Sequence, residues 1–177
     1  MKKTFFLVII LFCSILAFGQ NEGLSFKNVP KKLSGTVSGS VAFGATMHGY
    51  QAGLEFLSFK PVYHQKIGMI FEKGIISLTD YSILQAFYGR ERGIYQKNNN
   101  FYISGSLKTI MGIEMLTNNI LNQKKNKVSF GLGAGIVMEY FISKKLSLIA
   151  SAEQYYRYNS VIGDFYPVFS ASIRYSF

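Results

Sequence analysis

Apolar and polar residues alternate along most of this 177-residue chain, and this alternation restricts its fold more than any other feature. In the last segment every second residue from Phe165 to Phe177 is apolar, and Ser170, Ser172 and Arg174 lie between them. Successive side chains of an extended strand point to opposite faces, so a period of two gives one apolar and one polar face. The pattern therefore predicts an all-β protein.

Eight candidate strands follow from the alternation and from the connections between its segments. They span residues 33–46, 50–60, 65–73, 81–94, 101–116, 128–142, 146–158 and 165–177, and residues 74–78 could extend either the third or the fourth strand. Counted back from the C-terminus, the longer connections 159–164 and 117–127 alternate with the short turns 143–145 and 97–100. Outer-membrane barrels have an even strand number, short periplasmic turns and longer outside loops. We therefore predict an antiparallel up-and-down transmembrane barrel of about eight strands with a periplasmic C-terminus.

The first nineteen residues have the three parts of a secretory signal peptide. Lys2 and Lys3 are positive, residues 5–16 are apolar, and Ala17-Phe18-Gly19 brings small residues to the end of the segment. The apolar stretch is about a dozen residues long, whereas a spanning helix needs about twenty. We expect a cleaved signal at 1–19, a periplasmic segment at 20–32 and a barrel at 33–177.

A soluble antiparallel sandwich would also show alternation, but two features argue against it. A sandwich exposes its polar faces and would crowd them with charge, whereas here those faces carry mostly Ser, Gly and Thr. The chain also ends in Tyr175-Ser176-Phe177, with Tyr175 and Phe177 on the apolar face. This ending resembles the C-terminal signal by which the barrel-assembly machinery recognises outer-membrane barrels. We therefore predict a protein of the outer membrane of a Gram-negative bacterium, in contact with lipid and lipopolysaccharide.

The formal net charge of +10 raises the question of nucleic-acid binding. The Lys and Arg residues are scattered, and only Lys124, Lys125 and Lys127 approach a cluster. No nucleic-acid-binding motif accompanies them, so direct nucleic-acid binding is not expected. We expect these charges to be solvated loop charges that face anionic lipid headgroups.

The polar faces of the strands predict the content of the barrel interior. An eight-stranded barrel is narrow enough for side chains to fill it, and an isolated buried charge is very costly. We therefore predict a packed ionic interior without a conducting pore, in which Glu139 meets Arg174 and Glu153 meets Lys108. The charged residues expected to point inward are Glu55, Glu72, Glu114, Glu139, Glu153, Lys66, Lys108, Arg157 and Arg174.

Catalytic and metal-binding patterns are weak in this sequence. His48 and His64 fall near predicted connections, and neither has Cys, Asp or Glu at metal-ligand spacing. The run Gly131-Leu132-Gly133-Ala134-Gly135 lies inside an alternating strand with no helix after it, so its glycines are interpreted as close-packing positions that face the lumen. Cys13 would leave with the signal, so the mature chain has no thiol nucleophile. We expect no enzymatic activity, no cofactor and no metal.

Several short segments between Phe101 and Phe177 resemble the TraO family, small outer-membrane proteins encoded with the transfer genes of conjugative transposons. The resemblance implies a non-enzymatic component of a conjugative DNA-transfer apparatus that binds other conjugation proteins through its loops or periplasmic turns, and it supplies no catalytic residues. The alternatives are a generic small barrel for adhesion or envelope integrity and a lipid-modifying barrel enzyme. The segments that carry the resemblance are 101–106 (FYISGS), 112–114 (GIE), 131–135 (GLGAG), 139–143 (EYFIS) and 151–154 (SAEQ), with a fainter match at 52–57 (AGLEFL).

Overall fold

The computed structural model describes residues 35–60, 63–77, 79–97, 100–118, 123–160 and 165–177. The predicted signal peptide and the predicted periplasmic segment 20–32 lie outside these ranges, so both stay predictions. No helix in the described ranges has the length and the apolar character needed to cross a membrane.

Eight antiparallel strands form one closed barrel, in which each strand pairs with its neighbours along the chain and the first strand pairs with the last. This arrangement confirms the predicted all-β, up-and-down barrel. The strands are β1 (Val37–Thr46), β2 (Gly49–Phe59), β3 (His64–Ile76), β4 (Thr79–Lys97), β5 (Phe101–Asn118), β6 (Gln123–Phe141), β7 (Leu146–Tyr158) and β8 (Phe165–Ser176).

The register of the strands determines their tilt and the width of the barrel. If directly paired residues are followed once around the barrel from Thr36, just before β1, the last of them pairs with Thr46 on β1. The shear number of the barrel is therefore ten (46 − 36). With a strand spacing of about 4.8 Å and a rise of about 3.3 Å per residue, this shift gives a tilt of about 40° and a radius of about 8 Å. The path runs through Phe59, His64, Glu91, Ser106, Gly135, Glu153 and Val168.

One side of the barrel is much taller than the other. Strands β4, β5 and β6 have 19, 18 and 19 residues, whereas β1 and β2 have 10 and 11. The pairing of β6 with β7 begins at Phe130, so residues 123–129 pair with β5 and have no partner on β7. With the tilt above, the end of the β5–β6 hairpin rises roughly 17 Å above the β1–β2 turn. We call residues 112–118 and 123–129 the raised hairpin.

The predicted loop at 117–127 is wrong in its extent, because β5 continues to Asn118 and β6 begins at Gln123. The Lys and Asn residues at 124–127 interrupt the apolar alternation, so the pattern gave no sign of a strand there. Pairing of Thr117 with Lys124 and of Leu116 with Lys125 nevertheless continues the ladder. The predicted strands 65–73 and 81–94 are also too short, since β3 and β4 cover 64–76 and 79–97.

The connections at the two ends differ less than the sequence predicted. At the end of the barrel opposite to Phe177, the β1–β2 and β3–β4 links are only two residues long, 47–48 and 77–78. At the Phe177 end the links 60–63, 98–100 and 142–145 are three or four residues long. Only the link 159–164 keeps the predicted extra length.

The outer surface of the barrel is apolar. Leu54, Leu132 and Ile173 are each more than half exposed and point away from the barrel axis. Exposed aromatic residues lie near both ends of the barrel, as in outer-membrane barrels, where aromatic girdles mark the two membrane interfaces. Those near the ends include Tyr50, Tyr158 and Phe165 at one end and Tyr140, Tyr175 and Phe177 at the other, and further exposed rings, such as Phe43, Tyr88 and Phe169, lie between them.

Gly135 on β6 lies where the main chain of β7 comes very close. A Cβ atom there would overlap the carbonyl oxygen of Ala152 and would lie 2.6 Å from the Cα of Glu153. The variant Gly135→Ala is therefore expected to lower the free energy of unfolding by about 1–3 kcal/mol, as overpacking does in other cores. Urea unfolding of the refolded barrel in detergent micelles measures the change.

A matched control for this prediction is Gly39→Ala on β1. Its added Cβ would have ring carbons of Phe56 and Phe177 as nearest atoms, each at the ordinary contact distance of 3.7 Å. We expect this variant to stay within about 0.5 kcal/mol of the wild type. Equal losses in the two variants would show that crowding by the β7 main chain is not what requires glycine at position 135.

Candidate functional site

The barrel encloses a set of charged side chains. Eight of the nine charged residues predicted to point inward are buried, and the ninth, Glu55, is half-buried on β2. Charged groups are almost never buried unless they are paired. The buried eight are Lys66, Glu72, Lys108, Glu114, Glu139, Glu153, Arg157 and Arg174.

Six charged groups form a continuous row of alternating sign through the interior, which we call the ionic row. Neighbouring groups in the row are within 4 Å of each other, so each positive group lies next to at least one carboxylate. The successive nitrogen–oxygen distances are 2.5 Å for Lys108–Glu153, 3.8 Å for Glu153–Lys66, 2.7 Å for Lys66–Glu91, 3.9 Å for Glu91–Arg174 and 2.9 Å for Arg174–Glu139. The two pairs proposed from the sequence, Glu139 with Arg174 and Glu153 with Lys108, are thus in contact.

A separate ion pair joins opposite walls of the barrel. Nη2 of Arg157 on β7 donates to Oε2 of Glu72 on β3 at 2.8 Å. The same carboxylate accepts hydrogen bonds from the Tyr81 hydroxyl at 3.1 Å and from Nε2 of Gln85 at 3.2 Å. Because β3 and β7 are not neighbours in the sheet, this contact fills the space between the walls. We call Glu72 and Arg157 the transverse pair.

Aromatic rings cover the positive charges of the interior. The Lys108 ammonium lies 4.9 Å from the centre of the Phe87 ring and 4.8 Å from the centre of the Tyr155 ring, and it is hydrogen-bonded to the Tyr155 hydroxyl at 2.7 Å. The Arg157 guanidinium lies 4.7 Å from the centre of the Tyr166 ring. Attraction between cations and ring faces is strongest where water is excluded, so the rings stabilise the enclosed charges.

Glu91 is a central member of the ionic row that the sequence did not reveal. It lies in the run Arg90-Glu91-Arg92, which puts charge on both faces of β4 and so hides the alternation. Glu91 lies on the same face of β4 as Gln85 and Phe87, and all three are buried. Extending the face assignment from these residues would have placed Glu91 inside.

His64 also differs from the sequence interpretation. It is the first residue of β3 and is buried, with its ring packed edge-to-face on Phe59 at 4.7 Å between centroids, rather than lying in a loop. His48 lies in the β1–β2 connection, as expected. Within the described ranges no three His, Cys, Asp or Glu residues are grouped closely enough to hold a metal ion.

The aromatic end of the chain completes the closure of the barrel. The main-chain N–H of Phe177 donates to the carbonyl of Val37 at 2.9 Å, so the last residue continues the β8–β1 ladder. The rings of Tyr175 and Phe177 pack edge-to-face at 5.4 Å on the outer surface. Both residues proposed as an insertion signal therefore face outward at the seam between the first and last strands.

Comparison with known proteins relates this chain to others by fold. No protein-family model matches the sequence, so none supports the resemblance to TraO. No curated protein matches it either.

Several solved structures match the barrel. Neisserial surface protein A has a TM-score of 0.56 at 12% identity, covering 80% of this chain and 95% of that one. Ail, the attachment invasion locus protein of Yersinia pestis, has a TM-score of 0.52 at 15% identity, with 80% and 97% covered. The N-terminal β-barrel domain of Pseudomonas aeruginosa OprF has a TM-score of 0.53 at 9% identity, with 80% and 98% covered. The chain therefore has the fold of small eight-stranded outer-membrane barrels.

Proposed function

We propose that this chain is a non-enzymatic β-barrel of the outer membrane of a Gram-negative bacterium, exported through a cleaved signal at 1–19. The observation that supports this most is the reversed polarity of the barrel, with large apolar side chains outside and ion pairs inside. A monomer in water rarely exposes more than a few hundred Å² of contiguous apolar surface. In a membrane, a closed barrel satisfies every strand hydrogen bond, and strands of about 9–11 residues are long enough to span.

The interior of the barrel supports a structural role for the lumen. The ionic row and the transverse pair occupy a space whose radius, measured to the backbone, is only about 8 Å. Their charged groups bind each other and the surrounding hydroxyls rather than facing an open cleft. We therefore propose that the barrel conducts no ions and catalyses no reaction, and that it acts through its two ends.

Within the outer membrane, we propose a role as a component of a conjugative DNA-transfer apparatus. The support for this role is the resemblance of residues 101–177 to the TraO family. The partners would be other conjugation proteins, which would bind the loops or the periplasmic turns, and assembly would depend on the barrel-assembly machinery acting on the end at Tyr175 and Phe177.

A second candidate role is attachment to surfaces or maintenance of the envelope. It is favoured by the likeness in fold to a neisserial surface protein and to a protein named for attachment and invasion. A likeness in fold at 12–15% identity is equally compatible with both roles, so an experiment in cells must distinguish them.

Deletion of the gene separates the two roles. If the conjugation role is right, the frequency of transfer to a recipient strain should fall at least about tenfold and should recover when the wild-type chain is supplied, while attachment to surfaces is unchanged. Unchanged transfer together with lost attachment or increased detergent sensitivity would support the second role. An altered lipid profile in the deletion strain would contradict the non-enzymatic assignment.

A further inference from the structure

Two arginines lie on the apolar outer face of the barrel, toward its Phe177 end. Arg90 on β4 is exposed and faces outward with Tyr88, and Arg92 follows on the same face and is half-buried. From the register, Arg90 lies roughly 12 Å above the level of Phe177 and roughly 4 Å below Leu54. Since the aromatic residues around Phe177 mark a membrane interface, the main chain of Arg90 lies within the apolar band, which is about 25 Å tall in such barrels.

The guanidinium group of Arg90 is directed toward that interface. It lies over the ring of Tyr63, with its central carbon 4.9 Å from the ring centre. Tyr63 directly precedes β3 and, from the register, lies roughly 8 Å nearer to the Phe177 end than Arg90 does. Long cationic side chains bend in this way to carry their charge out of hydrocarbon. The cation therefore lies near the level at which headgroups of the periplasmic leaflet are expected.

Within the described ranges, no acidic side chain lies on the outer face beside Arg90. Glu91, the next residue, points into the barrel and binds Lys66. The other described acidic residues also face the interior, apart from Asp80 near the opposite end of β4. A positive charge on the lipid face of a barrel is costly without an anion. We therefore expect a negative group from outside the chain to lie beside Arg90.

We propose that Arg90, Arg92 and Tyr63 bind an anionic phospholipid of the periplasmic leaflet. The arginines would bind the phosphate, to which a guanidinium can donate two parallel hydrogen bonds. The acyl chains would lie along Met69 and Leu107, which are 54% and 37% exposed. These side chains are placed roughly 3–7 Å above Arg90, so the order from the predicted periplasmic end is basic first and then apolar, as in a lipid of that leaflet. This inference rests on the proposed location in the outer membrane.

The charges of this surface favour an anionic lipid over two other occupants. A zwitterionic headgroup would bring an ammonium group to a surface that has no described carboxylate. A second copy of this chain, related by a two-fold axis through the surface, would bring the arginines of both copies together. Both arrangements would leave positive charges facing each other, whereas a headgroup of net negative charge neutralises them.

The test uses the mature chain refolded into vesicles of phosphatidylcholine that contain a minor fraction of phosphatidylglycerol. The variant Arg90→Gln/Arg92→Gln removes both cations. Its matched control, Lys144→Gln/Lys145→Gln, removes two exposed lysines at the same end of the barrel, in the β6–β7 turn. The measurement is the number of molecules of each lipid that stay bound per barrel after detergent extraction, determined by native mass spectrometry.

The wild type and the control variant should retain phosphatidylglycerol in preference to phosphatidylcholine. The arginine variant should retain at least about tenfold less phosphatidylglycerol, because each arginine near an anionic lipid contributes appreciable attraction. Equal retention by the two variants, or no preference between the two lipids in the wild type, would overturn the proposal. Cross-linked dimers of the wild type in vesicles of phosphatidylcholine alone would overturn it as well, by assigning the surface to a second copy.

A second measurement needs no variant and therefore does not depend on how well a variant folds. Phosphatidylglycerol with a photoreactive headgroup should label peptides that contain Tyr63, Arg90 or Arg92 in the wild type, and label concentrated on the β6–β7 turn instead would contradict the site. A folded wild type that shows no lipid preference removes only the lipid site. A wild-type chain that enters no vesicle, shown by unchanged gel migration on heating, would contradict the proposed location and the lipid site together.

Discussion

Replacement of Glu72 by leucine is expected to lower the free energy of unfolding by about 3–5 kcal/mol, the cost of leaving a buried charge without its partner. Glu72 is fully buried and receives hydrogen bonds from Arg157, Tyr81 and Gln85. Leucine would leave the enclosed Arg157 guanidinium, which is 1% exposed, without the carboxylate that neutralises it. Urea unfolding in detergent micelles measures the loss.

The double variant Glu72→Leu/Arg157→Met is the control for this prediction. It removes both charges and keeps a similar volume, so most of the stability should return, because buried pairs can often be replaced by apolar residues at little cost. The coupling energy between the two sites should therefore be large and favourable. Additive losses in the two single variants and the double variant would show that the transverse pair does not interact as the structure indicates.

Replacement of Leu54 by arginine is expected to make folding into a bilayer less favourable by about 2–4 kcal/mol, the cost of arginine near the midplane on the lipid face of a barrel. Leu54 lies at the middle of β2, is 56% exposed and is flanked by the outward-facing Val41 and Met69. In water the same change would be close to neutral, because the side chain is already exposed. The size of the loss therefore reports what surrounds the barrel.

Tyr140→Arg is the matched control for Leu54→Arg. Tyr140 is 51% exposed but is the second-to-last residue of β6, at the end of the barrel where the membrane interface is expected. The cost of arginine falls to about 0–1 kcal/mol near an interface. Both variants should be compared by reversible folding into lipid vesicles. Equal effects at the two positions would contradict a membrane whose midplane crosses Leu54.

The fold was largely predictable from the sequence because the period of two reports the direction of each side chain. Alternation alone assigns Ile173, Tyr175 and Phe177 to the apolar face and Glu72, Glu139 and Arg174 to the inner face, and all six lie on those faces. Closure into a barrel followed from the need to satisfy strand hydrogen bonds in a membrane. None of these inferences needed the register between strands.

What the sequence could not supply were the contacts that depend on register and on the tilt of the whole barrel. Glu72 and Arg157 are 85 positions apart and meet across the lumen, so no local pattern connects them. The alternation does not predict the raised hairpin for a related reason: its lysines do not alternate with apolar residues, and only pairing with β5 makes residues 123–129 a strand. It does not predict the burial of Glu91, because Arg90 and Arg92 charge the opposite face as well.

The environment of the outer surface at mid-height tests most directly whether the apolar face of the barrel meets lipid. The mature chain would contain no cysteine, because Cys13 lies in the predicted signal, so single cysteines at Leu54 and Ile136 can carry nitroxide labels without competing sites. In vesicles, both labels should collide readily with oxygen and be protected from a water-soluble nickel chelate, whereas a label at Lys144 in the β6–β7 turn should show the reverse. Free access of the nickel chelate to Leu54 and Ile136, or a mature chain that remains dissolved in the periplasm, would contradict a barrel whose apolar face meets lipid.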